Sequence, residues 1–165
     1  MRPHILIASA LAVCASAFAA LPAAAVQEKE WTVMVYINGK NDLETSALAD
    51  MNEMEKVGSS ARINLVAELG RARKYDTSDG DWSGARRYLV AKDADQKRIT
   101  SPVLAGLPGA DMGDWRHLAG FGKWARSNFP AKRYMLIVWN HGNGWYKGPV
   151  TAVPKSISLD SETGN

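Results

Sequence analysis

Arg133-Tyr-Met-Leu-Ile-Val-Trp-Asn-His141-Gly142-Asn-Gly144-Trp145 is the stretch on which the fold turns. Tyr134 to Trp139 run without a polar break, and Asn140-His141-Gly142 ends the run. An apolar segment of this kind, rich in branched and aromatic side chains, predicts a strand buried on both faces of a sheet. In open α/β sheets, ligands bind in the crevice beyond the carboxyl ends of such strands. His141 placed there is a candidate acid/base. Gly142, whose bare backbone N–H can approach a substrate, is a candidate oxyanion donor. The same residues also fit a plain strand end, with a Gly-Asn-Gly turn and His141 as a half-buried polar cap.

Upstream, Glu30 to Ile37 make a second dense β-branched and aromatic strand, ended by Asn38-Gly39. Asn41 stands where a helix N-cap belongs, with Glu44 as its capping-box partner. Leu43, Ala47, Met51, Met54 and Val57 share one helical face, and Gly58 supplies the stop. The acidic Glu44, Asp50, Glu53 and Glu55 are expected mostly on the solvated sides. Ile63 to Leu69 and Ala85 to Ala91 predict two more strands, whereas 93–109 reads as turns around a short segment, with Pro102 and Pro108 breaking any long element. Asp114 caps a helix running to Asn128, with Trp115, Leu118, Ala119, Gly122, Ala125 and Phe129 as its buried stripe. His117, one turn off that stripe, is expected at the surface. The order strand–helix–strand–strand–helix–strand points to a parallel-rich α/β layered fold.

At the front, Arg2 precedes an apolar stretch, Ile5 to Leu21, that ends in Pro22-Ala23-Ala24-Ala25. A basic start, an apolar middle and a small-residue end describe a secretory signal peptide over 1–25, and so an exported protein, secreted or periplasmic. The single cysteine, Cys14, lies in this segment, so the chain from Val26 onward has no thiol and no disulfide to hold it. The formal net charge of +3, from 20 Lys and Arg against 17 Asp and Glu, is too balanced to argue for nucleic acid or an anionic membrane surface. No second apolar span is long enough to cross a bilayer, so no membrane partner is expected once the signal is removed. The body of the fold is read as 26–147. Residues 148–165, poor in apolar side chains, read as a flexible linker that leads to strands not contained in this chain.

Asp76, Asp79 and Asp81 cluster in a polar loop, and grouped carboxylates suit a hard cation such as calcium. Their spacing does not match a calcium-binding helix–loop–helix. His117 and His141 lack the shared-helix spacing of a zinc site. Gly142-Asn-Gly144 begins like a phosphate loop, but no third glycine, Walker lysine or following helix appears.

Four stretches then carry a resemblance. They are Trp31-Thr-Val-Met-Val-Tyr-Ile-Asn-Gly-Lys-Asn-Asp-Leu-Glu44, Asp50-Met-Asn-Glu-Met-Glu-Lys-Val-Gly-Ser59, Asp111-Met-Gly-Asp114 and Ile137-Val-Trp-Asn-His-Gly-Asn-Gly-Trp145. In this order, over Trp31 to Lys147, the chain resembles the clostripain family of cysteine peptidases. The resemblance implies a caspase-like three-layer α/β/α sandwich, incomplete here because it stops after the histidine-bearing strand. It implies that His141 is catalytic, that the Gly142 N–H helps hold the oxyanion, and that the substrate is a peptide or protein cut after Arg or Lys. It also implies a partner, the cysteine-bearing C-terminal part of the same protein, since no residue here matches the family's nucleophile. Lys147 and Lys155 are candidate cut sites in the linker, and calcium activation is a family trait. Ser156, Ser158 and Ser161 have no surrounding motif that would activate them. The competing reading is a non-catalytic relative, a binding or regulatory module that holds a peptide in the same crevice without cutting it.

Overall fold

The computed structural model describes residues 28–73, 75–142 and 157–165. The elements are β1 (Lys29–Gly39), α1 (Glu44–Glu55), β2 (Ile63–Arg71), β3 (Gly84–Leu89), β4 (Val103–Leu107), α2 (Trp115–Asn128) and β5 (Ala131–Trp139). They build one mixed sheet in the order β4-β3-β2-β1-β5. β1 runs parallel to both β2 and β5, and β3 and β4 add antiparallel. The expected parallel core is present, and the short segment expected among turns is a strand, β4, bracketed by Pro102 and Pro108.

Alternation along β1 explains the layers. Val35 and Ile37 point to one face, where Ala47, Leu48 and Met51 of α1 pack with Ala67, Leu69 and Tyr88. Met34 and Tyr36 point to the other, against Phe121 and Ala125 of α2 with Val66, Ala85 and Met112. A sheet with a helix on each face is the three-layer α/β/α arrangement, and a fully buried side chain such as Ile37 or Phe121 stabilises it by about 1.5–3 kcal/mol. Close approach is needed at Gly70, where an added Cβ would stand 2.0 Å from the Met112 sulfur.

The helices depart from their sequence reading in phase. Val57, past the end of α1, is exposed, while Glu44 and Glu55 are fully buried. Glu44 is not a capping partner: Leu43 occupies the N-cap with no side-chain cap bond, and Asn41 Oδ1 instead accepts from the Leu43 amide. The Glu44 carboxylate turns inward and accepts from Arg71 Nε at 2.9 Å and from the Ala72 amide. Burial pushes its carboxyl up against the opposing pull of Arg71. Glu55 Oε1 accepts from the Thr100 and Ser101 amides and so ties α1 to the approach to β4. In α2 the Asp114 cap is as expected, its side chain accepting from the Arg116 amide. The buried stripe is rotated, with Phe121 inside and Trp115 exposed.

Two further expectations are corrected. β5 is not buried on both faces: it pairs with β1, no described strand lies beyond it, and Met135, Leu136 and Ile137 are 41–46% exposed. An apolar run reports what a strand is suited to contact, and at a sheet edge those contacts are half supplied. Residues 157–165, read as part of a tail, are packed against the body, with Asp160 fully buried. The signal segment 1–25 lies outside the described residues, as do Gly144, Trp145, Lys147, Lys155 and Ser156.

Candidate active site

The parallel strands end together. Gly39 pairs with Arg71 across β1 and β2, and Ile37 pairs with Trp139 across β1 and β5. The chain leaves β1 for β2 on one side while β5 lies on the other, so the strand order reverses between β1 and β5. The carboxyl edge at such a reversal is the usual ligand position in sheets of this kind. Asn38 to Asp42 and Asn140 to Gly142 emerge there.

Three asparagines tie this edge to residues 158 and 159. Asn140 Nδ2 donates to the Asn38 carbonyl at 2.7 Å, and Asn140 Oδ1 accepts from the Leu159 amide. Asn38 Nδ2 donates to Ser158 Oγ and to the Leu159 carbonyl, which also accepts from Asn41 Nδ2. Below them, the buried Lys40 ammonium lies 2.9 Å from Asp160 Oδ2 and 3.2 Å from Glu162 Oε2, and donates to the Ala110 carbonyl. Asp160 Oδ2 also accepts from the Met112 amide. A buried carboxylate is tolerated only with such partners, and residues 157–165 are therefore held by specific polar bonds instead of apolar area.

His141 stands at the rim with its side chain 45% exposed, and its Nε2 lies 2.7 Å from Asp42 Oδ1. The hydrogen bond from this ring holds the Asp42 carboxyl below its ordinary range. Gly142 has φ of 58°, a left-handed backbone that side chains with a Cβ rarely adopt, and a Cβ there would meet nothing closer than the Asn140 carbonyl at 3.9 Å. Conformation, and not space, is what requires glycine at this position. Beside the rim, Ala72, Arg73, Tyr75, Ser161 and Glu162 line a groove of about 350 Å³. Glu162 is committed there to Lys40 and to the Arg73 amide.

The remaining candidates fall elsewhere. Asp76 accepts from Thr45 Oγ1 and the Ser78 amide, and Asp79 accepts from the Ile99 amide and Trp82 Nε1. The carbonyls of Asp76, Asp79 and Gly80, which a bound cation would want, accept instead from the Arg71 guanidinium. Among the described residues, no group of three or more His, Cys, Asp or Glu side chains is placed to hold a metal, so the structure does not bring Asp76, Asp79 and Asp81 together as one. His117 is not a free surface residue: its Nε2 meets the fully buried Glu68, which also accepts from Arg87 Nε at 2.6 Å. Sequence reasoning missed Lys40, Asp42 and Asp160. For Lys40 and Asp42 the one available signal was the density of Asn, Lys and Asp immediately after a very apolar strand, and Asp160 had none.

A mixed sheet between two helix layers, with a histidine beyond its carboxyl edge, is the layout of a caspase-like hydrolase fold. Residues 35–165 match the family model described as the Clostripain family, and the chain belongs to that family. It is 34% identical over 124 residues to clostripain of Hathewaya histolytica, an alignment covering 68% of this chain and 23% of the relative. The chain thus spans about a quarter of that relative's length. Among solved structures it is similar to a secreted cysteine protease of Bacteroides thetaiotaomicron bound to an irreversible peptide inhibitor, at 26% identity and TM-score 0.54, over 82% of this chain and 35% of that one. The fold is also that of a B. fragilis cysteine protease, at 23% identity and TM-score 0.55, over 75% of this chain and 98% of that one. A Bacteroides thetaiotaomicron clostripain solved with a peptide inhibitor shares it too, at 18% identity and TM-score 0.56, over 76% and 99% of the two chains.

Proposed function

We propose that this chain is the histidine-bearing part of an exported cysteine endopeptidase that cleaves peptides after Arg or Lys. The observation that carries the reading is the His141 ring, half exposed at the carboxyl rim between β1 and β5. Family membership and the peptide inhibitors bound by two structural relatives support it. The nucleophilic cysteine belongs to the remainder of the protein, because Cys14 in the leader is the chain's single cysteine. Segment 1–25 directs export, in keeping with the secreted relative.

In this mechanism the imidazole accepts the thiol proton as sulfur attacks the scissile carbonyl. Backbone N–H donors, that of Gly142 among them, stabilise the oxyanion, and one such donor is worth about 3–4 kcal/mol. The imidazolium then protonates the departing amine, and water hydrolyses the thioester. Maturation by cutting the linker at Lys147 or Lys155 fits the same reading, since both residues follow the histidine and precede the held segment 157–165. Calcium has no assigned ligands in this proposal.

The full-length protein should cleave Arg- or Lys-containing substrates in a thiol-dependent way, and His141→Ala should remove most of the rate, because members of such a unit are not additive. Cleavage that persists after every thiol is alkylated overturns the assignment. The absence of a cysteine from 26–165 favours one rival, a non-catalytic peptide binder. Tight binding of a basic peptide by full-length protein that never cleaves it would establish that rival.

A further inference from the structure

The contact between His141 and Asp42 joins residues 99 positions apart through two exposed side chains. Pairs of this kind contribute little to stability, since water competes for both partners and salt screens them. Yet the backbone on each side is fixed more firmly than a casual surface contact requires. On the Asp42 side, Asn41 is buried and bonded through both side-chain atoms, to the Leu43 amide and the Leu159 carbonyl. Lys40, just before it, is anchored by Asp160 and by the Ala110 carbonyl. On the His141 side, Asn140 is bonded through both side-chain atoms, to the Asn38 carbonyl and the Leu159 amide. The carboxylate and the ring each project one residue beyond an asparagine that is itself pinned to β1 or to Leu159. Their separation is therefore set by the sheet edge.

The atom that makes the contact matters. Asp42 meets Nε2, and a carboxylate accepts, so in the neutral ring the proton sits on Nε2. Nδ1 is then the unprotonated nitrogen, and no hydrogen bond joins it to a described residue. We propose that Asp42 is the positioning residue of His141, holding the Nε2–H tautomer so that Nδ1 is the atom that exchanges protons with the thiol and the leaving amine. This inference rests on the reading of His141 as the general base. During attack Nδ1 takes the thiol proton, and the ring becomes an imidazolium whose new charge faces the Asp42 carboxylate. When the amine departs, the same proton leaves from Nδ1 and the neutral Nε2–H ring is restored. Asp42 neither gains nor loses a proton in the cycle. The general logic is that of an acid which orients a catalytic imidazole and favours its charged form. The lowered Asp42 carboxyl keeps that acid ionised across the neutral range.

The test uses the full-length peptidase, cysteine-bearing part included. Asp42→Ala should lower kcat by about 100-fold with KM changed less than about twofold, the usual reach of positioned acid–base catalysis. Asp42→Asn, which retains an acceptor oxygen without the charge, should fall between wild type and Asp42→Ala and covers the case in which the alanine variant fails to fold. With the histidines labelled in nitrogen, two-bond proton–nitrogen spectra should show His141 held as the Nε2–H form in wild type and mixed with the Nδ1–H form in Asp42→Ala. Unchanged kcat in both variants, or a loss confined to KM, overturns the positioning role. Those results leave His141 as base intact provided that His141→Ala is inactive. An active His141→Ala instead removes the functional reading on which the inference stands.

Discussion

β1 and β5 lie side by side in parallel register, Val33 opposite Met135 and Val35 opposite Ile137, and both are strongly apolar. Tyr36 and Ile37 of β1 are fully buried, whereas Leu136 and Ile137 of β5 keep 45% and 41% of their exposure. The polar residues at their ends differ in the same sense. Lys40 after β1 is sealed in with Asp160, while His141 after β5 reaches Asp42 at the open rim. Two strands of similar composition thus serve different purposes. β1 has a strand on each side and a helix on each face, and it is the scaffold. Among the described residues no strand lies beyond β5, so its apolar edge is open and the imidazole at its end is accessible.

The contrast can be broken at several points, beginning with the largest expected effect. Lys40→Met leaves Asp160 buried without its cation and should cost about 3–5 kcal/mol. Urea unfolding checks this, and a loss below 1 kcal/mol, roughly the value of an exposed pair, would mean that Asp160 is not sealed. Next, Ile37→Ala should cost about 2–5 kcal/mol, and Ile137→Ala in this chain only about 1 kcal/mol, because half of its surface is already in water. Equal losses would show that the outer edge of β5 is covered. Third, Ile137→Lys should reduce concentration-dependent association of this chain in sedimentation, since a charge on an apolar edge blocks strand addition. In the full-length protein the same change should weaken folding if β5 is paired there. Fourth, His141→Ala should change the unfolding free energy by no more than about 0.5 kcal/mol while removing activity, the mark of a residue that works at the surface.

The smallest effect concerns pH. Desolvation opposes it, but hydrogen bonds from Asn165 and Thr163 and the amide bond from Gly113 hold the Asp111 carboxyl below its ordinary value. A depressed carboxyl contributes fully above its unfolded value, and the contribution is lost as pH falls through its lowered one. Amide-exchange protection of 157–165 should therefore decline in acid, below the usual aspartate range, before that of β1. Simultaneous loss in both regions would contradict the separation.

Much of the scaffold was legible in the residues. The β-branched and aromatic density of β1, the Asp114 cap of α2 and the strand ending at Asn140 all announce themselves locally, since each depends on neighbours within a turn or a pleat. The exposure of β5 was not legible, because hydropathy records suitability for burial and not the presence of a covering element. Glu44 and Glu55 looked like solvated helix charges. Their burial depends on Arg71 and on the Thr100 and Ser101 amides, partners that no local pattern reveals. The same holds for 157–165, whose polar composition resembles a linker until Lys40 and the three asparagines are placed beneath it. His141 draws notice locally because it follows an apolar strand, whereas its contact with Asp42, 99 positions away, follows from no local pattern.

Lys40, Asn38 and Asn41 grip Ser158 to Asp160 directly, so covalent continuity between Gly142 and Ile157 is not what keeps the two ends in register. A peptide bond severed in that interval should alter the bands on a denaturing gel and leave the native elution volume unchanged. The nicked protein would behave as a single particle built from two polypeptides.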